Sequence, residues 1–341
     1  MKIVPVEESL GMVLCHDVTR IIPGEFKGPA FRRGHVVETS DIPILLSMGK
    51  EHLHILEMED GLVHENEAAL RIAGAGAGQG IHLLPPKEGK VDLVASWDGL
   101  LKVNVETLHA VNSDDEIMFA TIHTNQRVPR GKQVGGTRII PLVIHEERIR
   151  HAEEICRSMP PLMEVRPLRS LKVGIITTGS EVYHGRIVDR FGPVVMAKLQ
   201  ETGCTVLGQI LVFDSAAMIV EAVNTFLRQG AQMIALTGGM SVDPDDVTPS
   251  AIRATGAGVV TYGAPTLPGA MFMLAYLGDV PLLGLPGCVM YHRTSILDLV
   301  LPRILSGEEM TRSDFIQMAH GGLCVHCDPC RYPDCGFGKC G

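Results

Sequence analysis

The sequence predicts an α/β protein in which residues 168–306 form a doubly wound, mostly parallel sheet of three layers. In this region apolar runs that end near glycine alternate with amphipathic stretches, the pattern of a parallel sheet with helices on both faces. Residues 1–165 are polar and irregular in period, and we expect them to form a separate N-terminal domain of mixed α+β or β structure. Residues 320–341 are rich in Cys, Gly and Pro, which predicts a short knuckle.

The elements of the central region follow from apolar periodicity and from helix-breaking residues. Each predicted strand is a short apolar run, and each predicted helix carries apolar residues at helical spacing. In chain order the prediction is a strand at 172–178, a helix at 193–202, a strand at 205–213, a helix at 216–229, a strand at 231–236, a helix starting at Thr248 as cap with Pro249 next, a strand at 259–262, a hairpin of strands at 272–276 and 280–285, and a helix at 290–305.

Charge and composition disfavour several functions. The 341 residues include 30 Lys and Arg against 39 Asp and Glu, a net charge of −9 that argues against nucleic-acid binding. The most apolar window, 269–287, is broken by Asp279 and Pro281, so no membrane span is predicted. Residues 1–8 lack the apolar core of an export signal. We therefore expect a cytoplasmic protein whose thiols are reduced.

Three predicted strands end in loops that contain glycine, at 177–181, 237–241 and 285–288. Glycine lets backbone N–H groups approach a phosphate closely, and parallel strands gather such loops at one edge of the sheet. None of the loops has the spacing of a dinucleotide fingerprint or a P-loop. The loops therefore predict a phosphate-containing ligand outside the classes of dehydrogenases and ordinary kinases.

Carboxylates accompany these loops and could hold magnesium against a phosphate. The candidates are Glu181, Asp214, Asp243, Asp245 and Asp246. Capping of the following helix is the alternative interpretation of Asp246, since carboxylates are common at helix starts.

Four ordered motifs carry a resemblance to a known family. Thr178-Gly179-Ser180-Glu181 resembles T-G-D-E, and residues 237–242 with Asp246 resemble S-G-G-V-S-V-G-x-x-D. Residues 267–269 and 284–287 resemble the pair P-G-K-P and L-P-G-N-P, and residues 246–249 read D-V-T-P. The region is thus similar to the molybdopterin-binding domain of molybdopterin molybdenumtransferases, the gephyrin E-domain family, and of molybdopterin adenylyltransferases.

The resemblance implies an enzyme that binds molybdopterin or adenylyl-molybdopterin and inserts molybdate with release of AMP, in a Mg²⁺-dependent reaction. It implies a catalytic acidic set of Glu181, Asp214 and Asp246. It implies a ligand-binding set of Thr178, Gly179, Ser180, Gly238, Gly239, Ser241, Pro286, Gly287 and Cys288. It further implies a homodimer and, as a partner, a molybdoenzyme on which the protein would dock.

Several positions depart from the family pattern. Ala270 stands at the lysine of P-G-K-P, Cys288 at the asparagine of L-P-G-N, and Asp243 at a glycine. Residues 4–14 resemble the opening of the transferases, but their S-A-M-D-G-Y-A stretch has no counterpart at 20–27. The alternatives are a non-catalytic molybdopterin carrier or docking protein, an adenylyltransferase-like enzyme, and a competence/damage-type nucleotide hydrolase.

Five cysteines crowd into the last stretch of the sequence, with the spacing Cys324-x2-Cys327-x2-Cys330-x4-Cys335-x4-Cys340. This spacing predicts a metal site of Cys324, Cys327, Cys330 and Cys335, with Cys340 to spare and His326 as an alternative ligand. Zinc and an iron–sulfur cluster are both compatible with it. Such a knuckle would have too little apolar core to fold without metal.

Overall fold

The computed structural model describes residues 2–22, 25–55, 61–241, 243 and 246–339. Asp245 and Cys340, both singled out in the sequence, lie outside these residues. The chain divides into two compact units. The first comprises residues 1–94, 104–121 and 133–163, and the second comprises residues 95–103, 122–132 and 164–341.

The strands are, in chain order, β1 (Lys2–Pro5), β2 (Val18–Ile22), β3 (Phe26–Phe31), β4 (His52–Ile55), β5 (Leu62–His64), β6 (Ile81–Leu83), β7 (Lys90–Ala95), β8 (Gly99–Val103), β9 (Ile117–Thr121), β10 (Gln126–Val128), β11 (Gln133–Ile139), β12 (Val143–His145), β13 (Met163–Pro167), β14 (Lys172–Thr178), β15 (Thr205–Val212), β16 (Met233–Thr237), β17 (Gly258–Tyr262), β18 (Met273–Leu277) and β19 (Val280–Leu285). The α-helices are α1 (Asp41–Ser47), α2 (Glu65–Gly76), α3 (Val105–Val111), α4 (Glu146–Ser158), α5 (Ser180–Tyr183), α6 (Phe191–Glu201), α7 (Ala216–Arg228), α8 (Thr248–Ala254), α9 (Cys288–Tyr291), α10 (Ile296–Leu305) and α11 (Arg312–Gln317).

The first unit mixes small antiparallel sheets with helices. Its largest sheet has the order β6-β7-β11-β9, and β1-β4, β2-β3 and β5-β12 form two-stranded pairs. In the part nearest the start of the chain, Val6, Leu14 and Leu45 are fully buried and form the centre of a separate small core.

The second unit is built on a six-stranded sheet with the order β15-β14-β16-β19-β18-β17. The pairs β14/β15, β14/β16 and β16/β19 are parallel, whereas β18 runs antiparallel to both β17 and β19. The predicted mostly parallel α/β sheet and the predicted hairpin are therefore confirmed. The order also reverses at β14, since β15 lies on one side of it and β16 on the other, and such a switch point opens a crevice at the carboxyl ends of the strands.

Apolar residues of β16 explain why the sheet has helices on both faces. Successive side chains of a strand point to opposite faces. Met233 and Ala235 belong to the core formed with α6 and α10, whereas Ile234 and Leu236 belong to the core formed with α7 and α8. A strand that is apolar on both faces must be covered on both, so the continuous apolar run produces a three-layer unit.

Two predicted helices differ from the structure at their starts. The helix predicted at 290–305 is two helices, α9 and α10, because Ser295 adopts extended backbone and forms a capping box with Asp298. Thr248 is not the cap of α8, since Val247 takes that position and the Thr248 hydroxyl donates to the carbonyl oxygen of Gly238 at 2.8 Å. Helix α11 was not predicted.

The Cys-rich segment is part of the second unit and packs against the elements around its sheet. Leu323 pairs with Leu267 in an isolated parallel bridge, and the Tyr332 hydroxyl donates to the Asp298 carbonyl oxygen at 2.7 Å. Phe337 is buried in the core shared with α10. The segment therefore contributes to the apolar core of the sheet unit.

None of the helices in the described part of the chain combines the length and the apolarity that a membrane crossing requires.

Candidate functional site

The loops after β14 and β16 meet at the switch point of the sheet, and glycine makes the approach possible. Gly238 has φ +87°, and a Cβ there would lie 2.2 Å from the carbonyl oxygen of Thr178. Gly239 has φ +55°, and a Cβ there would lie 2.9 Å from the Thr248 hydroxyl oxygen. Both positions therefore require glycine, because of backbone conformation and because of space.

The consecutive backbone N–H groups of the β16 loop differ in their hydrogen bonds. The N–H groups of Gly239 and Met240 have no acceptor among the described residues. The next N–H, of Ser241, donates to Asp246 Oδ2 at 2.7 Å. Successive backbone N–H groups in left-handed turns form concave sites for phosphate-like anions. Asp246 thus stabilises this loop, and the capping interpretation of its side chain is not observed.

A cavity of 760 Å³ opens beside this loop, a size that suits a cofactor-sized ligand. Its lining includes seven of the residues that the sequence singled out as ligand-binding or catalytic: Gly238, Gly239, Ser241, Asp246, Pro286, Gly287 and Cys288. Asp243 and Ala270 also line it. Burial raises the pKa of the Cys288 thiol, so this group is a protonated thiol at neutral pH.

Thr178 lines a second cavity, of 560 Å³, and Gly238 and Phe191 line both cavities. Gly179 and Ser180 line neither of them. The Ser180 N–H donates to Asp214 Oδ2 at 2.8 Å, so Asp214 holds the start of α5. The β14 loop thus contributes one of its three predicted ligand residues to these cavities.

The predicted acidic set is divided in the structure. Asp246 lines the 760 Å³ cavity, whereas the half-buried Asp214 bonds to α5 and Glu181 is exposed beside Gly179. Their positions in the sequence, near the three loops, could not show that the three carboxylates do not line one cavity.

The four cysteines predicted to bind metal do not form a metal centre here. Within the described ranges, no three or more His, Cys, Asp or Glu side chains are placed to hold a metal ion. Cys327 Sγ accepts from the Arg331 N–H at 3.4 Å, and Cys330 Sγ lies 3.4 Å from the Thr294 hydroxyl. The described residues therefore contain no assembled site for zinc or an iron–sulfur cluster at these cysteines.

Chelation provides a test of this segment. We expect an excess of a zinc and iron chelator to change the melting temperature of the full chain by less than about 2 °C, since the segment is held by Tyr332 and Phe337. A Cys324→Ser variant should behave like the wild type. Stoichiometric zinc or iron in the purified protein, with a large drop in melting temperature on chelation, would contradict this expectation.

The structure adds two cavity residues that sequence reasoning did not assign there. His292 follows α9, and His326 comes from the Cys-rich segment; their ring centroids are 5.1 Å apart. His326 also has a left-handed backbone, with φ +50°. His292 could have been found from the sequence, because it lies only four positions after Cys288, a predicted ligand-binding residue. Nothing in the sequence places residue 326 beside a loop at 238.

Comparison with known families assigns the sheet unit. Residues 174–306 match the family described as a probable molybdopterin binding domain. They are a domain of this family. The molybdopterin-binding domain contains the loops after β14, β16 and β19, and therefore the cavity walls described above apart from His326. Residues 3–57 match a second family, described as a domain of unknown function, DUF8806.

Curated relatives match part of the chain. A molybdenum cofactor biosynthesis bifunctional protein of Synechococcus elongatus is 32% identical over 98 residues, which are 29% of this chain and 31% of the relative. A CinA-like protein of Mycobacterium tuberculosis is 34% identical over 79 residues, 23% of this chain and 18% of the relative. The chain therefore spans less than a third of the length of each of these relatives.

Solved structures are similar over about two fifths of the chain. The molybdopterin biosynthesis enzyme MoaB from Thermus thermophilus has a TM-score of 0.34 and 23% identity, covering 40% of this chain and 98% of its own. A tungsten cofactor synthesizing protein MoaB from Pyrococcus furiosus has a TM-score of 0.31 and 18% identity, covering 39% and 88%.

Proposed function

We propose that this protein acts in molybdenum cofactor biosynthesis, binding adenylyl-molybdopterin in the 760 Å³ cavity and inserting molybdate with release of AMP. The observation that carries the proposal is the β16 loop, where Gly239 and Met240 line a cavity of cofactor size and their N–H groups have no acceptor among the described residues. The match of residues 174–306 to a molybdopterin-binding family supports the choice of ligand.

The residues of the cavity would have different roles: some would bind the ligand's anionic groups, and others would hold the loop or form the wall. Gly239 and Met240 would donate backbone N–H groups to the ligand's anionic oxygens. Asp246 would hold the loop in shape through Ser241. Pro286 and Gly287, at the end of the neighbouring strand β19, would form the adjacent wall.

The acidic side chains of this cavity suit magnesium held jointly with a ligand. Asp243 and Asp246 both line it, and the second carboxylate oxygen of Asp246 has no partner in the described part of the chain. Magnesium is commonly bound by one or two carboxylates together with substrate phosphates. When bound there it would neutralise charge on the phosphoryl oxygens. Asp214 and Glu181, which do not line this cavity, would not bind the magnesium ion directly.

The test is AMP release from adenylyl-molybdopterin with molybdate and magnesium. We expect Asp246→Asn to lower the rate by about 100-fold. The amide oxygen can still accept from the Ser241 N–H, so the loop is retained while the charge is lost. Asp279→Asn, on the exposed turn between β18 and β19, is the matched control and should keep the wild-type rate. Wild-type AMP release in Asp246→Asn would refute the catalytic role of this carboxylate.

A second candidate is a non-catalytic carrier of molybdopterin, and the divided acidic set favours it. Asp214 is occupied with the Ser180 N–H and Glu181 points to solvent. Tight binding of adenylyl-molybdopterin without AMP release, unchanged in Asp246→Asn, would support the carrier over the enzyme.

The remaining expectations belong to the same proposal. We place the activity in the cytoplasm, with a homodimer and a receiving molybdoenzyme as partners. A second, adenylyltransferase-like reaction would appear in the assay as consumption of ATP and molybdopterin.

A further inference from the structure

The 760 Å³ cavity has an unusual inventory of polar side chains for a site that takes an anionic ligand. Among the described residues of its lining, none is Lys or Arg. The position that resembles a family lysine is Ala270, which also lines the cavity. The carboxylates Asp243 and Asp246 add negative charge. A bound anion must therefore rely on N–H and O–H donors.

The imidazoles of His292 and His326 are the side-chain N–H donors of this described lining. An imidazole offers at least one N–H whatever its tautomer or charge. The two ring centroids are 5.1 Å apart with an interplanar angle of 36°, so the rings lie side by side without stacking closely. Two donors at this separation can reach different oxygens of one tetrahedral anion.

His326 reaches the cavity because of how its segment is fastened. The Leu267 N–H donates to the Gly322 carbonyl oxygen at 2.7 Å, and the Cys324 N–H donates back to Leu267 at 2.8 Å. Leu267 itself lines the cavity. These bonds fix the chain two residues before His326, and the left-handed backbone at His326 turns its side chain from that point. Non-glycine residues with positive φ are uncommon and gather at functional sites.

We propose that His292 and His326 form the binding site for a tetrahedral oxyanion in this cavity, so that the Cys-rich segment completes the ligand site of the molybdopterin-binding domain. The oxyanion is either free molybdate or the terminal phosphate of the organic ligand. The inference rests on the proposed function for its choice of anion. In this inference the two imidazoles supply the side-chain hydrogen-bond donors to the anion, and Gly239 and Met240 supply the backbone donors.

Calorimetric titration of the full chain with sodium molybdate, sodium tungstate and inorganic phosphate tests this site without molybdopterin. We expect His292→Ala and His326→Gly to weaken oxyanion binding by about tenfold or more each, the effect of losing one hydrogen bond to a charged group. Glycine at 326 suits the left-handed backbone, so that variant removes the imidazole without strain. His292→Gln, which keeps an N–H donor, should retain most of the affinity.

Val325 provides the matched control, because it is 81% exposed, adjoins His326 and does not line the cavity. Val325→Ala should bind oxyanions like the wild type, and equal melting temperatures across the variants would confirm folding. Preference for molybdate and tungstate would identify the free metal oxyanion as the natural occupant, and preference for phosphate would identify the ligand's phosphate. Either preference supports a binding site formed by His292 and His326, provided that the histidine variants lose oxyanion affinity.

Oxyanion binding that is absent, or equally strong in His292→Ala and His326→Gly, would overturn the inference. The proposed function is separately tested, since AMP release depends on Asp246. AMP release at the wild-type rate, together with unchanged oxyanion affinity in the histidine variants, would overturn this inference and leave the proposed function standing. A histidine effect on oxyanion affinity without binding of adenylyl-molybdopterin would overturn the proposed function alone.

Discussion

Replacing Gly238 by Ala is expected to lower the free energy of unfolding by about 2–5 kcal/mol and to abolish ligand binding at the β16 loop. Two penalties combine at this position. The backbone is left-handed, with φ +87°, and the new Cβ would lie 2.2 Å from the carbonyl oxygen of Thr178, which cannot move without distorting β14. Urea denaturation of the full chain would measure the loss.

A variant at Gly256 distinguishes the conformational cost of the left-handed backbone from the steric cost of the new Cβ. Its φ is +85°, almost the same as that of Gly238, but a Cβ there would meet nothing within 4 Å. Gly256→Ala should therefore cost only the conformational part, about 1–2 kcal/mol, and leave ligand binding intact. Equal losses in the two variants would show that the close approach of the β14 and β16 loops does not exist in solution.

Replacing Arg303 by Met should cost about 3–5 kcal/mol, since it removes a buried guanidinium and leaves the half-buried carboxylates of Glu308 and Asp314 without their main partner. Arg303 is 4% exposed and donates to both Glu308 and Asp314, with its Nε 3.1 Å from Glu308 Oε2. Lys102 Nζ also contacts Glu308, at 3.1 Å. Arg228→Met is the control, because its ion pair with Glu221 is exposed and should contribute less than about 1 kcal/mol.

The dependence of this effect on pH has a definite sign. Burial alone would raise the pKa of Glu308, but hydrogen bonds and charge from Arg303 hold it below its ordinary value of 4.5. A carboxyl with a lowered pKa stabilises the fold above the unfolded pKa and loses that contribution as pH falls through the folded one. The difference in urea midpoint between wild type and Arg303→Met should thus narrow below pH 4.5. A constant difference down to pH 3 would contradict the ion-pair explanation.

The sheet of the second unit could be predicted from sequence because its signals are local. Residues 173–176 form a short run without polar side chains, and the strand predicted at 172–178 has the observed bounds of β14. The break between α9 and α10 coincides with a polar run at 292–295, which interrupts the apolar pattern of the helix predicted at 290–305. The start of α10 is set by the capping box of Ser295 and Asp298. This motif spans only four residues of sequence.

The site was less accessible to sequence reasoning, because side-chain direction and long-range packing decide it. The glycine loop at 238–239 was found from its position after a buried strand. Asp214 and Asp246 looked equivalent, since each follows a strand, yet one bonds to α5 and the other to its own loop. His326 lies 88 positions beyond Gly238 in the chain, and long-range bonds such as those between Leu267 and its segment bring it to the cavity.

The absence of Lys and Arg from the described cavity lining bears on how fast an anion arrives as well as on how it is held. Long-range attraction depends on net charge, and the chain carries −9. An approaching oxyanion or phosphate is therefore repelled at low ionic strength, and added salt, by screening the repulsion over about 10 Å, speeds its entry. Donors such as backbone N–H groups and imidazoles act only at contact. Recognition in this cavity is thus short-ranged, and selectivity is exerted after encounter by fit to the donors.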